Sequence, residues 1–228
     1  MARQLHKPIL VCGLIAIVGI CQFAFGVSAA IQQSRERYEM TNQFLSDLGR
    51  NDNPHAAAIF NPAVIMLGVA LIPFFLVMPG VLARFRGTLR ISGVTAACGL
   101  IGIGLTPYDD WYVAHLMFLT MWVAPMLLMM IVFLLSALGT GLLHNGRLGS
   151  RWLLLATGSA VLAIGGYALI DNHHGHVVFQ KIVAVLAVAW FVLVFLSVVI
   201  TTVGSLTRRT EIVERQAISY LRTLEHRR

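Results

Sequence analysis

The chain is poor in charge, with 17 Lys and Arg and 10 Asp and Glu among 228 residues. Set against 57% hydrophobic residues and a mean hydropathy of +0.78, this leaves too little polar surface to cover a globule, which excludes an ordinary soluble domain. Disorder is excluded too, because a disordered chain needs low hydrophobicity and high charge. Cysteine is sparse: Cys12, Cys21 and Cys98 all fall inside apolar runs. No disulfide framework is available, and the three thiols are expected to be buried as small hydrophobes. Glycine-rich phosphate loops, a G-x-S-x-G elbow, H-E-x-x-H and glycosidase-type carboxylate pairs are absent as well, so no short motif announces a reaction.

What the sequence has is long apolar runs. Six are long enough to cross a bilayer, at 8–31, 61–82, 88–106, 111–138, 150–170 and 177–204, each near the roughly 20 residues a spanning helix needs. The first run follows Arg3 and Lys7 as a signal peptide would, but it is about twice the usual signal core, so it is read as a helix. The expected fold is all-α, a polytopic bundle of six transmembrane helices over residues 1–204, followed by a tail at 205–228. Six crossings put both termini on one side. Assigning alternate segments to alternate sides sorts the charges: 13 of the 17 cations fall with the termini, at 3, 7, 84, 86, 90, 147, 151 and along the tail. The other side keeps Arg35, Arg37, Arg50 and Lys181 and takes seven of the ten acids. The positive-inside rule then makes the termini cytoplasmic and the protein a multi-pass plasma-membrane protein. The net charge of +7 thus reflects topology, not nucleic-acid binding. The tail, with apolar residues at 212, 213, 217, 218, 221 and 224 and six Arg, reads as an amphipathic helix lying on anionic inner-leaflet lipids. Oligomeric state is not legible.

The first outer connection, 32–60, carries most of the exposed polar chemistry. Thr41-Asn42-Gln43-Phe44-Leu45-Ser46-Asp47-Leu48-Gly49 has a capping residue, apolar positions at 44, 45 and 48 and a closing Gly. It predicts a short amphipathic helix at the membrane surface. The second span is expected to start at Asn61 as N-cap with Pro62 at the first helical position, stapled by Phe60 and Ile65. Gly93, Ala97, Ala156 and Ala160 supply small-xxx-small spacings for close helix approach.

Five of the eight histidines (55, 115, 173, 174 and 176) and Asp47, Asp109, Asp110, Asp171 and Lys181 gather at the outer ends of spans. Ionisable groups at membrane depth are costly and usually face the bundle interior, where they pair and mark function. Lys181, between Phe179 and Ile182, needs a counter-ion or a route to water, with the four outer aspartates as candidate partners. The alternative is a lysine that snorkels to the interface. His115, among apolar neighbours, is a candidate base or metal ligand, or simply a hydrogen-bonded core residue. His174 and His176 with His115 would make a three-ligand site for zinc with a fourth position open to water. The Asp171-Asn172 pair equally makes a turn.

Asn42 with Ser46-Asp47-Leu48-Gly49, Phe60-Asn61 and Gly68, Gly104-x-x-Pro107-x-Asp109 followed by His115, and Phe179-Gln180-Lys181 together define a pattern. It resembles the bacterial and archaeal membrane proteins grouped as domain of unknown function 998, over residues 8–204. That family usually has Arg where this chain has Lys181. The resemblance implies the fold and the importance of Ser46, Asp47, Asp109, His115 and Lys181 without supplying a reaction. A looser likeness, in residue types alone, is to membrane hydrolases such as alkaline ceramidases, which combine Ser, Asp and three His around zinc. Here six spans replace seven and the H-x-x-x-H spacing is missing. The sequence thus suggests an outward-facing site for a hydrolase or transferase acting on a lipid or amphiphile. In it Ser46 is nucleophile or substrate contact, His115 base or ligand, Asp47 and Asp109 orienting groups, Lys181 an acid/base or ion-pair partner, and Asn42 and Asp110 substrate contacts. The competing expectation is a non-enzymatic protein in which these side chains form a structural ion-pair network or a small-solute or proton site.

Overall fold

A computed structural model describes residues 6–35, 37–78, 85–139, 155, 157–162, 166 and 175–196. The described chain is helical: α1 His6–Gln33, α2 Pro54–Val77, α3 Arg86–Leu105 and α4 Tyr112–Gly139, then α5 Gly175–Leu196. A 3-10 helix, Leu45–Gly49, interrupts the first connection. All five long helices are long and apolar enough to cross a membrane. The chain is therefore an integral, multi-pass membrane protein in contact with a lipid bilayer. Most of the expected fifth span, 150–170, and the tail at 205–228 lie outside the described residues, although 157–162 are helical.

Register follows from close approaches in which small residues let backbones meet. A Cβ on Gly26 or Gly19 of α1 would lie 2.6 or 2.5 Å from the Cβ of Ala63 or Ala70 of α2. The numbers fall on one helix as they rise on the other, so α1 and α2 are antiparallel. On the opposite side of α2, Gly68 lies against the Ala97 carbonyl and Gly93 against the Phe75 ring, which makes α3 antiparallel to α2 and bears out the small-residue face expected at 93 and 97. Ala160 is buried, and Ala156 lies outside the described residues. Gly99 of α3 meets the Trp122 backbone of α4. α5 closes the bundle through Phe195 on Gly13 of α1, Phe191 on Phe75 of α2 and Trp190 on Phe133 of α4. The Trp190 indole N–H also donates to Thr157 Oγ1 at 2.9 Å, satisfying a polar atom that would be costly to bury unpaired.

Three expectations are corrected. α2 begins at Pro54, not Asn61. Both positions carry the dipeptide Asn-Pro, and the Ala-rich stretch between them favours helix, so the helix starts at the first and Pro62 lies inside it. The surface helix expected over 41–49 is a 3-10 helix confined to Leu45–Gly49. The Gln43 carbonyl, which an α-helix over 41–49 would spend internally, accepts a hydrogen bond from the Lys181 ammonium instead, as does the Met40 carbonyl just before it. Leu48 and Gly49 are buried beneath it. The cysteines are not core thiols: Cys21 is exposed and Cys12 and Cys98 are intermediate, on helices whose outer faces meet lipid.

Candidate functional site

α1 ends, and α2, α4 and α5 begin, at one end of the bundle, and the connections 34–53 and 106–111 cover that end. Hydrogen bonds lock the longer connection down. Asn61, half-buried and about two turns inside α2 instead of capping it, donates from Nδ2 to the Gly49 carbonyl at 3.0 Å. A Cβ on Gly49 would sit 2.2 Å from Asn61 Oδ1 and 3.0 Å from the Phe60 ring, so only glycine lets the 3-10 helix dock on α2. Asp47 turns back to accept the Phe44 N–H at 2.6 Å. The Asn51 N–H donates to Asp109 at 2.9 Å, and its side-chain amide donates to Asp110, which joins the first connection to the second.

Lys181 is the central clasp. Its Nζ donates to the Gln43 carbonyl at 2.6 Å and the Met40 carbonyl at 2.7 Å, and it lies 5.5 Å from the centre of the Tyr38 ring. The Tyr38 hydroxyl donates to the same Gln43 carbonyl at 3.2 Å. Arg50 forms an ion pair with Asp52 at 2.7 Å. Lys181 donates its hydrogen bonds to carbonyls, while Asp47, one of the aspartates expected as its partner, acts on it through charge without a direct ion pair. Burial raises the Asp47 carboxyl above the ordinary aspartate range, against the lowering effects of the Phe44 N–H, Arg50 and Lys181. Burial, with the nearby Asp47 charge, also raises the Tyr38 phenol.

Beneath this cap lies a cavity of about 80 Å³, several times the ~10–15 Å³ that one water needs. Its walls are helical stripes: Phe60, Val64, Leu67 and Leu71 on α2, and Gln180, Ala184, Ala187 and Phe191 on α5. His115, Leu119 and Trp122 of α4 complete a third wall, with Ile20 and Phe23 of α1 and Leu100 and Ile103 of α3 between. Eleven residues from Phe60 to Leu71 at 1.5 Å per residue make the cavity about 16 Å long. Among the described lining residues, Ser46, His115 and Gln180 make the loop end polar, and the Trp122 indole lies about two turns further along α4.

His115 is 4% exposed. Its Nδ1 lies 2.6 Å from the Thr106 carbonyl, and a carbonyl only accepts, so Nδ1 carries the hydrogen. In the neutral ring Nε2 is then the basic nitrogen. Tyr108 packs edge-on to the ring. Gln180 accepts the Leu45 N–H through Oε1 at 2.9 Å, which ties the 3-10 helix to α5.

Of the residues singled out from sequence, Ser46 and His115 meet at the cavity. Asp47, Asp109 and Lys181 hold the cap above it. Asn42 bonds to Glu39 and Asp110 to Asn51, and neither lines the cavity. His176 is half-buried in the first turn of α5, and His174 lies outside the described residues. Among the described residues no three His, Cys, Asp or Glu side chains come together as a metal site would require. Sequence reasoning gave no role to Gln180, Thr106 or Tyr38. Gln180 had a signal, as a polar residue one turn into an apolar helix. Thr106 acts through its carbonyl, which no side-chain pattern reveals. Comparison with protein-family models, with curated proteins and with solved structures gives no match for the chain.

Proposed function

We propose that the protein binds a single-chain lipid or other amphiphile in the interhelical cavity and acts on its head group as a hydrolase or transferase. The supporting observation is the arrangement of His115: buried, lining with Ser46 and Gln180 a cavity whose other walls are mostly apolar, and held by the Thr106 carbonyl in the tautomer whose Nε2 can take a proton. Acyl transfer uses a nucleophile, a base and a group that orients the base, and these are residue types that can fill those roles. Ser46 supplies the hydroxyl and His115 the base, while Asp47, Asp109 and Lys181 position the cap. No step in this reading needs a metal. The charge distribution supports a loop end facing outward, so the amphiphile enters from the outer leaflet of the cell membrane. Membership of the domain of unknown function 998 family is proposed on the motif residues alone.

The non-enzymatic reading draws on a different observation. Asn61, Asp109, Asp110 and Lys181 all spend hydrogen bonds on the first connection, as a structural fastening would. Purified protein in nanodiscs, offered a panel of single-chain acyl esters and amides, separates the two. Turnover that Ser46→Ala and His115→Ala each abolish, while Asn42→Ala leaves it intact, supports the enzyme. Binding with no turnover of any member of the panel supports a carrier or receptor held together by that fastening.

A further inference from the structure

Among the described residues no Asp, Glu, Lys or Arg lines the cavity. Of the charged side chains in the cap, Lys181 is committed to two carbonyls, Asp47 to the Phe44 N–H and Arg50 to Asp52. Three polar side chains are left to face a ligand head. Gln180 has a fixed orientation: a backbone N–H can only donate, so the atom that receives the Leu45 N–H is Oε1, and the Nε2 amino group is the donor end of the same side chain. By the same logic the Thr106 carbonyl leaves His115 Nε2 as an acceptor when the ring is neutral. Ser46 can do both. Among the described residues the polar end of the cavity therefore offers one amide donor, one imidazole acceptor, one hydroxyl and no ion.

We propose that the ligand is an uncharged single-chain amphiphile whose head carries a carbonyl group, an ester or amide, and that Gln180 Nε2 donates to that carbonyl oxygen. The inference rests on the reading of the cavity as an amphiphile site. A carboxylate or phosphate head entering here would lose its water with no cation to meet it. An alkane would leave the three polar groups unpaired. The volume, about 80 Å³, holds roughly five water-sized groups in single file, which suits one chain and not the body of a two-chain lipid. If the enzymatic reading also holds, the donor from Gln180 lies where charge develops on the carbonyl oxygen as Ser46 attacks it.

Trp122 lines the cavity and supplies the readout. Brominated probes of one chain length, a fatty acyl methyl ester, the corresponding fatty carboxylate and the alkane, are titrated into full-length protein in mild detergent. The quenching lost in Trp122→Phe reports the cavity. The expected order is ester tighter than alkane, and alkane tighter than carboxylate. Gln180→Glu keeps an oxygen for the Leu45 N–H but removes the donor, so ester affinity should fall roughly tenfold while alkane affinity holds. Gln180→Met, which adds no charge, should show the same loss. Ester affinity unchanged in both variants, or carboxylate binding tighter than ester, overturns the proposal while the cavity reading stands. Absence of cavity quenching by every probe overturns the cavity reading, and this inference with it.

Discussion

Lys181 sits one turn into an apolar helix, yet its ammonium is held by the carbonyls of Met40 and Gln43 and faces the Tyr38 ring. A cation in that position fastens backbone to backbone across a separation of more than a hundred residues. Lys181→Met should therefore cost about 1–3 kcal/mol by stranding its acceptors. Amide exchange of residues 40–45 should accelerate while that of α2 and α3 does not, and uniform exchange across the chain would contradict the clasp. Asp47 gives a second test at this scale. Burial holds its carboxyl above the ordinary value of 3.8, so the folded state binds that proton more tightly than the unfolded state. Its contribution to stability is greatest below the ordinary value and is lost as pH rises through the raised one. Asp47→Asn retains an oxygen for the Phe44 N–H and removes the titration. Melting temperatures in detergent, taken from about pH 3.5 to 7, should decline less with rising pH in the variant than in the parent. Identical slopes would assign the titration to another group.

Between the 3-10 helix Leu45–Gly49 and α2, the fit is set by Gly49 and Asn61. The amide of Asn61 both bonds the Gly49 carbonyl and occupies the space a Cβ would need. Gly49→Ala should lower the melting temperature by several degrees, the scale on which overpacking acts. Asn61→Ala should cost less, and the double variant should be clearly less damaged than the sum of the two, because removing Asn61 makes room for the new methyl. Additive losses would mean that the two residues act separately. The same elements show what a sequence can and cannot reveal. Helices α1, α3 and α4 lie within two residues of their expected bounds at both ends, because apolar run length is a direct consequence of bilayer thickness. The start of α2 and the extent of the 3-10 helix were not legible. Each depends on a distant partner: the Asn61 amide is drawn to Gly49, and the Gln43 carbonyl that would extend the short helix is taken by Lys181. In the site, Ser46 and His115 stand out in sequence because polar side chains are rare in apolar runs. Gln180 and the Thr106 carbonyl acquire meaning only once five helices enclose a common space.

Across the whole molecule, the described helices already constrain topology. α1 runs toward the capped end, α2 and α4 leave it, α3 returns to it, and α5 leaves it again. α4 ends at the far end of the bundle and α5 begins at the capped end, so the chain passes between the ends an odd number of times between Gly139 and Gly175. One crossing would give six spans, and the cations concentrated at 84, 86, 90, 147 and 151 would then put the cap outside. Replacing Cys12, Cys21 and Cys98 by Ala, and then introducing Asp52→Cys, Arg147→Cys or Arg222→Cys singly, tests this with a membrane-impermeant thiol reagent on intact cells. Asp52→Cys should label at once, and the other two only after the membrane is opened. Labelling of Asp52→Cys and Arg222→Cys from the same side would require a different number of crossings and would dismantle the six-span architecture. Labelling of Arg147→Cys and Arg222→Cys from outside, with Asp52→Cys protected, would keep the bundle and reverse it. The Ser46 and His115 end of the cavity would then open toward the cytoplasm, and its amphiphile would have to come from the inner leaflet.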